Sequence, residues 1–458
     1  MNKKISLGVA IALMAIASAV TIVITTSFSM NNFNSRMRNL REREVMYNKL
    51  AEIDSLVRQN YLWEFEEEDL MNAVAKGYVA GLEDPYGMYM TPEEYSSTME
   101  KYEGQKASIG ISAVKDPSGY IKVVEVYPES PAETAGVQPG DLIVEVDGTM
   151  VTAENYQELI SGMAGEEGSS LDIVVRRDNK DSDMEIVRRT IEVPMVLSEQ
   201  YGSVGYLQIK EFNNNTPAQF DEHLNRLRGN GVQALIFDVR NNPGGTIDSV
   251  VAMLDTLLPE GELVSATYKD GRTEVLAYSD EKEVNLPMVV LTNENTASAA
   301  ELFAQAIKDY NKGRTVGTQT YGKGVMQTIY PLSDGGALDI TVAMYNPPKS
   351  PNFNGVGVKP DYEVQLTAEQ QKNFFDLDEE SDPQLKKALE LANAAIKVGG
   401  FDGLSEKPAE IQPAEPEEDQ NTEESSSEEE QAEDAQQDTE NTEESEASQE
   451  EAEEEEAA

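Results

Sequence analysis

Apolar positions recur with different periods along the chain, and each period predicts a different kind of segment. From about Arg36 to Asn60 they recur at helical spacing, and a second helix is predicted from Glu67 to Leu82. The turn residues Asp84-Pro85-Tyr86-Gly87 then end this pattern. Residues 29–101 are therefore predicted to form an N-terminal helical region.

Between residues 102 and 189 the apolar period shortens to that of strands. Runs separated by turns that contain Pro, Gly and Asp predict strands over Ile121–Val126, Leu142–Val146 and Leu171–Val175. One helix is predicted over Thr152–Met163. This arrangement indicates a small β-rich domain.

From Val204 onward, predicted strands alternate with predicted helices. The strands are Val204–Ile209, Ala234–Val239 and Met288–Leu291, and the helices are Pro217–Arg228, Thr246–Leu258 and Ala299–Tyr310. The uninterrupted apolar run from Ala234 is typical of a parallel strand that is buried on both faces. We therefore expect a layered α/β core over residues 190–366, followed by a helical extension over residues 367–400.

The N-terminus carries an almost uninterrupted apolar run over residues 5–28, which is 24 residues long (28 − 5 + 1). This exceeds the roughly 20 residues that span a bilayer, so we predict a single transmembrane anchor. The four residues before it are predicted to be cytoplasmic, which places the remaining domains outside the cytoplasm at the cell membrane. A cleaved signal peptide is the alternative, because Ala17-Ser18-Ala19 matches a cleavage site.

Charge and composition add two constraints. The formal net charge is −49, and about half of it lies in residues 401–458, where Glu, Ser and Gln dominate and aromatic residues are almost absent. That segment is predicted to be a disordered acidic tail. The negative charge of the remainder argues against binding to nucleic acid, whose phosphates would repel it.

The amino-acid inventory restricts the possible catalytic chemistry. The chain has no cysteine and one histidine, His223, so a cysteine nucleophile is excluded and a metal site lacks its usual ligands. His223 lies on a predicted helix and is interpreted as a surface or interface residue. Ser298 lies among small residues where a helix is predicted to begin, and Lys323 follows 25 residues later (323 − 298) in a glycine-flanked segment that we interpret as a strand. A lysine whose pKa is lowered by burial can act as the general base for a serine.

Two further features fit a serine nucleophile. Gln327 would share one side of that strand with Lys323, because side chains alternate with period 2, and it could orient the amine. The segment Asp238-Val239-Arg240-Asn241-Asn242-Pro243-Gly244-Gly245 ends a buried strand and could present backbone N–H groups to an oxyanion, as could the N–H of Ala299. Together these residues form a set of nucleophile, base and orienting group.

At these positions the chain resembles the C-terminal processing, or tail-specific, serine proteases. The resemblance covers about residues 47–388. It rests on the following segments: Asp84-Pro85-Tyr86 with Thr91-Pro92-Glu93-Glu94-Tyr95, Ile109-Gly110-Ile111, Ser130-Pro131-Ala132, Pro139-Gly140-Asp141, Gly205-Tyr206-Leu207, 238–245, Thr296-Ala297-Ser298-Ala299-Ala300-Glu301, Gly322-Lys323-Gly324 with Gln327, and Gly357-Val358-Lys359-Pro360-Asp361. Thr296 and Ala300 stand where the family often has serine, and neither position is catalytic in that pattern.

The resemblance implies a role for each matching position. Ser298 would be the nucleophile, Lys323 the general base and Gln327 the orienting residue, while Gly244 and Ala299 would supply the N–H groups of the oxyanion hole. The domain at 102–189 would be a PDZ domain that binds a peptide carboxylate with its loop Ser108, Ile109, Gly110 and Ile111. No cofactor and no metal are implied.

The resulting prediction is a membrane-anchored serine endopeptidase with a Ser-Lys dyad. It would recognise proteins by their C-terminus and cleave them nearby, with the helical regions at 29–101 and 367–400 as candidate surfaces for a homodimer. The alternative is a non-catalytic PDZ scaffold on a protease-like fold. The intact spacing of Ser298, Lys323 and Gln327 favours the enzyme.

Overall fold

The computed structural model describes residues 41 and 43–401, so the proposed anchor at 5–28 and the acidic segment beyond Phe401 lie outside the described residues. The helices are α1 (43–60), α2 (Glu67–Ala80), α3 (Pro92–Glu103), α4 (Pro131–Ala135), α5 (Tyr156–Ser161), α6 (Thr216–Gly229), α7 (Ile247–Leu257), α8 (Ala299–Asp309), α9 (Ala368–Lys372) and α10 (Pro383–Val398), with a 3₁₀ turn at Phe374–Asp376. Within the described ranges, no helix combines the length and apolar character needed to cross a bilayer.

The strands are β1 (Met88–Met90), β2 (Gln105–Ser108), β3 (Ile111–Lys115), β4 (Ile121–Val126), β5 (Leu142–Val146), β6 (Thr149–Met150), β7 (Ser170–Arg177), β8 (Lys180–Val187), β9 (Arg189–Glu192), β10 (Val196–Tyr201), β11 (Val204–Ile209), β12 (Ala234–Asp238), β13 (Gly261–Tyr268), β14 (Thr273–Ser279), β15 (Met288–Thr292), β16 (Gly313–Gly317), β17 (Val325–Pro331), β18 (Ala337–Asn346) and β19 (Tyr362–Glu363). The chain divides into two compact units. Among the described residues, the first comprises those up to Thr98 with Gln327–Val342, and the second comprises Met99–Met326 with those from Ala343 onward.

The first unit contains helices α1 and α2, which confirm the two helices predicted from the apolar period. Strand β1 pairs antiparallel with β18, with Met88 opposite Asp339. Between α2 and β1, the Asp84 carboxylate accepts the N–H of Tyr86 at 3.0 Å, which closes the predicted turn.

The second unit begins with a small antiparallel domain. Its sheet has the order β3-β4-β5-β7-β8, and its core is formed by buried side chains that include Ile109, Ile121, Ile143, Leu171 and Ile173. Strand β3 lies at one edge of this sheet. The structure confirms the three predicted strands, which are β4, β5 and β7. Each is an apolar run between turn residues.

Two elements of this domain differ from the prediction. Helix α5 starts at Tyr156 instead of Thr152, because Thr152 and Asn155 form a polar turn in which the Thr152 N–H donates to Asn155 Oδ1 at 2.7 Å. Helix α4 has no counterpart among the predicted elements. It forms because Ser130 accepts the N–H of Glu133 at 3.1 Å and proline occupies the first helical position.

The rest of the second unit is a layered α/β core, as predicted. A sheet of order β10-β11-β12-β15-β16-β19 is parallel from β11 onward. Helices α6, α7 and α8 bury apolar side chains against one face, and α10 buries Leu385, Ala388 and Ala392 against the other. Strand β12 reads Ala-Leu-Ile-Phe-Asp and is wholly buried, which explains its uninterrupted apolar sequence.

Candidate active site

Ser298 lies at the carboxyl end of the parallel sheet, at the start of helix α8. The loop after β15 leads into it, and its backbone has φ 56° and ψ −121°, a combination that side-chain-bearing residues rarely adopt. Such backbone strain persists only where the surrounding structure holds it. A serine on a sharp turn from strand to helix is the arrangement that exposes a nucleophilic hydroxyl.

The group that holds this turn is Glu301, which is fully buried. Its Oε2 accepts the N–H of Ser298 and the N–H of Lys323, each at 2.8 Å. Its Oε1 accepts the hydroxyl of Thr320 at 2.5 Å and the N–H of Gly322 at 2.7 Å. Burial raises the pKa of this carboxyl above its ordinary value, and the four donors oppose that shift only in part.

Glu301 is a functional candidate that the sequence reasoning missed. A glutamate three residues after a serine at a helix start is the pattern of a capping box, which could have drawn attention to it. The pattern explains the contact with Ser298. The contacts with residues 320–323 come from a distant part of the chain and have no local signal.

Lys323 does not lie in a strand, so the prediction that it does is wrong. Residues 321–324 are irregular, and β17 begins only at Val325. The N–H groups of Gly322 and Lys323 both donate to the Glu301 carboxylate, and Gly322 has φ 93°. The Lys323 carbonyl accepts the hydroxyl of Tyr345 at 2.6 Å, so the backbone of this residue is fixed on both sides.

Gln327 lies on β17, in the part of the chain that belongs to the first unit. Its side-chain amide donates to Thr341 Oγ1 at 2.9 Å. Thr341 in turn donates its N–H to the Asp84 carboxylate at 3.2 Å. The alternation argument that placed Gln327 beside Lys323 fails, because Lys323 is outside the strand. The role assigned to Gln327 stays a prediction.

Gly244 packs directly against the turn at Ser298. Its φ is 104°, and a Cβ atom at this position would lie 2.8 Å from the Cβ of Ser298 and 3.0 Å from the nitrogen of Ala299. The backbone therefore requires glycine here. In this structure the N–H of Gly244 donates to Asn242 Oδ1 at 2.8 Å.

The loop that carries Gly244 is fastened to the residues just before Ser298. The hydroxyl of Thr296 donates to the carbonyl of Val239 at 2.8 Å, and the N–H of Ala297 donates to the carbonyl of Asn242 at 3.0 Å. The loop and the turn at Ser298 therefore form one connected backbone arrangement. Ala299 is the first residue of α8, so its N–H is among those that the helix itself leaves without a partner.

The loop predicted to bind a peptide carboxylate lies in the small antiparallel domain. Ser108 Oγ accepts the N–H of Gly110 at 3.2 Å, and Gly110 has φ 85°. Ile109 is fully buried in the domain core, whereas Ile111 is partly exposed. Ile111 also begins the edge strand β3.

His223 is half-buried on α6, as expected for a residue without a catalytic role. Its Nδ1 lies 2.8 Å from the hydroxyl of Ser198. Burial, and then the charge of Arg226, lower the pKa of this imidazole below its ordinary value. Across the described residues no group of three or more His, Cys, Asp and Glu is arranged to hold a metal, and the expectation of a metal-free enzyme stays a prediction.

Three family models match the chain. Residues 203–364 match peptidase family S41, residues 122–177 match a PDZ domain, and residues 9–94 match the N-terminal domain of the activating protease CtpB. The fold and the site therefore define a serine peptidase that carries a PDZ domain.

Curated relatives agree with this class. A probable CtpA-like serine protease of Staphylococcus saprophyticus is 30% identical over 377 residues, which cover 82% of this chain and 76% of that protein. A protein of the same description from Staphylococcus aureus strain MSSA476 is 30% identical over 362 residues, covering 78% and 73%. The chain belongs to the S41 peptidases, the family of the CtpA-like serine proteases, which confirms the resemblance found in the sequence.

Among solved structures, the photosystem II D1 C-terminal processing protease is similar to this chain. It is 28% identical, the match covers 68% of this chain and 85% of that one, and the TM-score is 0.43. The family assignment rests on the sequence relatives and the family models and not on this superposition.

Proposed function

We propose that this chain is a serine endopeptidase that uses Ser298 as nucleophile and Lys323 as general base, and that cleaves proteins near their C-terminus. The observation that carries the proposal is the buried Glu301 carboxylate, which binds the backbone N–H of both residues through one oxygen. A structural cap would need only the contact with Ser298. The second contact fixes the segment that carries the amine relative to the nucleophile turn.

In the proposed reaction the Ser298 hydroxyl attacks the scissile carbonyl carbon as its proton passes to Lys323 Nζ. The lysine must be neutral beforehand, and it then returns the proton to the leaving amine. Gln327 is proposed as the residue that orients the amine, on the strength of the sequence resemblance. A neutral partner orients the amine without favouring the ammonium form.

The developing oxyanion would be stabilised by the N–H groups of Ala299 and Gly244. Support comes from the close packing of Gly244 on the Ser298–Ala299 peptide. Because the Gly244 N–H donates to Asn242 Oδ1 in this structure, the role requires that this bond be shared or exchanged when the oxyanion forms.

Substrate capture is assigned to the PDZ domain. The exposed edge of β3 would accept the C-terminal segment of a substrate as an added strand, and the loop from Ser108 to Ile111 would bind its carboxylate. The position of β3 at the end of its sheet supports this, because it leaves a row of backbone groups available for pairing.

The membrane anchor at residues 5–28, with the protease outside the cytoplasm, is part of the same proposal and rests on the apolar sequence. A homodimer is proposed through the N-terminal helices. Leu50, Ile53 and Leu56 recur along α1 and remain exposed at 40%, 49% and 55%. Helix α10 instead covers its apolar side chains with its own sheet, so the N-terminal region is the better candidate surface.

The proposal is tested with the full-length chain in detergent micelles and an unstructured protein substrate. We expect cleavage that EDTA does not inhibit, labelling of Ser298 by a fluorophosphonate, and loss of both in Ser298→Ala. Complete inhibition by EDTA with recovery on adding zinc would contradict it.

A second experiment separates the enzyme from the PDZ scaffold. Ser298→Ala should still bind substrate, and amidation of the substrate C-terminus should weaken that binding. Binding without any turnover by the unaltered chain would favour the scaffold.

A further inference from the structure

A buried ionic cluster lies between helix α10 and the loop at residues 238–245, which we call the catalytic loop. The guanidinium of Arg240, whose side chain is 4% exposed, donates to Asp238 through Nη2 at 2.6 Å and to Asp382 through Nη1 at 2.7 Å. The same Nη1 donates to Gln384 Oε1 at 2.9 Å. Asp238 ends strand β12, whereas Asp382 and Gln384 belong to the start of α10.

The polar groups of this cluster already have partners. The second oxygen of Asp238 accepts the N–H of Arg240 at 3.0 Å, and Tyr206 donates its hydroxyl to Asp238 at 2.7 Å. Phe374 covers the guanidinium, with its ring centre 4.9 Å from Cζ. Burial alone would lower the pKa of Arg240. The two neighbouring carboxylates raise it by a larger amount, so the pKa lies above its ordinary value. A cluster so fully satisfied is suited to hold backbone in place and not to bind a ligand.

Asp382 performs two tasks with its two oxygens. Oδ1 caps helix α10 by accepting the N–H groups of Gln384 at 2.8 Å and Leu385 at 3.1 Å. Oδ2 binds Arg240. The cap and the ion pair therefore join the first turn of α10 to the catalytic loop.

Hydrogen bonds connect the residues beside Arg240 to the residues just before Ser298. Val239 and Asn242 accept hydrogen bonds from Thr296 and Ala297, the two residues before Ser298. Gly244, two residues beyond Asn242, packs on Ser298 itself. A change in the position of Arg240 would be transmitted to both sides of the proposed oxyanion hole.

We propose that Asp382, and through it helix α10, is a positioning element of the active site. Its charge holds Arg240, and Arg240 holds the loop that shapes the turn at Ser298. The proposal rests on the proposed peptidase function and assigns a catalytic purpose to the C-terminal extension. Its distinctive consequence is that loss of the Asp382 charge lowers turnover more than substrate binding.

The test compares Asp382→Asn with Asp378→Asn in the full-length chain. Asparagine is as good a helix cap as aspartate, so Asp382→Asn keeps the cap of α10 through its one oxygen, while an NH₂ group replaces the charged oxygen that accepts from Arg240. Asp378 is an exposed carboxylate in the segment that leads to α10, where it bonds to Ser381, so the control removes the same charge outside the cluster. The measurements are kcat and KM on a peptide substrate, the rate of fluorophosphonate labelling of Ser298, and thermal unfolding.

We expect Asp382→Asn to lower kcat and the labelling rate at least about tenfold, because small displacements of catalytic groups have large effects on rate. KM should change by no more than about twofold, and Asp378→Asn should behave like the unaltered chain. A folded Asp382→Asn protein with unchanged kcat, even one that melts earlier, would overturn the proposal.

If Asp382→Asn fails to fold, the variant Gln384→Met tests the proposal instead. Methionine has nearly the same side-chain volume as glutamine, but it lacks the oxygen that accepts from Arg240. Reduced labelling of Ser298 in the folded variant supports the proposal, and unchanged labelling overturns it. An unaltered chain that neither cleaves nor labels would instead refute the proposed function.

Discussion

The carboxylate of Glu301 binds the backbone N–H of Lys323 at 2.8 Å, across 22 residues of sequence. The same oxygen binds the N–H of Ser298, at the same distance. A single buried side chain thus connects two backbone segments that are distant in sequence, and the N–H of Tyr321 joins them a second time by donating to the carbonyl of Thr296 at 3.0 Å. Neither contact involves the hydroxyl or amine that would react, so we predict that Glu301 is a positioning residue.

Replacing Glu301 by Gln tests this relationship. Glutamine has one acceptor oxygen, so its NH₂ group would face two of the four donors that the carboxylate now satisfies. We expect a fall in kcat of about ten- to a hundredfold and a lower melting temperature, because buried donors lose their acceptors. Peptide binding to the PDZ domain should not change.

Glu294→Gln is the matched control for this variant, because Glu294 is exposed on the loop before Ser298 and bonds only to Thr318. It should keep the kcat of the unaltered chain. If Glu301→Gln retains full turnover, the carboxylate is only a helix cap.

Thr341 connects Gln327 to the turn at Asp84, because its hydroxyl accepts from the Gln327 amide and its N–H donates to the Asp84 carboxylate. Thr341→Val keeps the shape of the side chain but removes the oxygen that accepts from the Gln327 amide. With its amide unanchored, Gln327 can rotate, and we expect kcat to fall about tenfold or less. Thr341→Ser keeps the hydroxyl and should retain activity. Equal kcat values for the two variants would show that this hydrogen bond has no role in turnover.

The elements that the sequence predicted best are those fixed by local patterns. The bounds of β4, β5 and β11 agree with the predicted strands, because each is an apolar run that ends at turn residues. Strand β8 was missed because it is rich in charged residues, with Ile186 as its buried side chain. Its position is determined by pairing with β7 and not by its own apolar pattern.

In the candidate site, too, the features with a local sequence signal could be predicted, and those that depend on tertiary contacts could not. Ser298 could be found because small residues and a helix start surround it, and Lys323 because histidine and cysteine are almost absent. Glu301 could not be assigned from sequence, since its role depends on residues 320–323 returning to it in the fold. The role of Asp382 could not be predicted either, because a helix cap gives no indication that its second oxygen binds Arg240 on a loop that is distant in sequence.

The PDZ loop offers a test based on steric fit. Gly110 and Gly136 both have positive φ, 85° and 87°, so alanine is disfavoured at either position by roughly 1–2 kcal/mol. A Cβ on Gly110 would lie 2.3 Å from the Cβ of Ser130, whereas one on Gly136 would meet nothing within 4 Å. Gly110→Ala should therefore abolish the effect of the substrate C-terminus on cleavage, and Gly136→Ala should only lower stability.

The readout is the ratio of cleavage rates for a substrate with a free and an amidated C-terminus. That ratio should approach one for Gly110→Ala. If the ratio is the same for both variants and the unaltered chain, this loop does not bind the carboxylate.

Lys323→Arg tests the identity of the general base. An arginine stays protonated at every accessible pH, so it cannot take the proton of Ser298. We expect turnover to be abolished while binding of the peptide C-terminus and the melting temperature remain close to those of the unaltered chain. His223→Gln should keep full kcat. Activity that survives in Lys323→Arg and disappears in His223→Gln would reverse the assignment.

His223 also predicts how stability depends on pH. Its pKa is lowered in the folded protein, first by burial and then by Arg226, so the unfolded chain binds the proton more readily than the folded chain does. Its contribution to stability is therefore complete above the unfolded value of about 6.5 and is lost as the pH falls toward the folded value. Between pH 7 and pH 5 the melting temperature of the unaltered chain should fall more than that of His223→Gln. The many carboxylates contribute equally to both proteins, so the difference between the two curves isolates the histidine. Parallel curves over this range would mean that folding does not shift the pKa of His223.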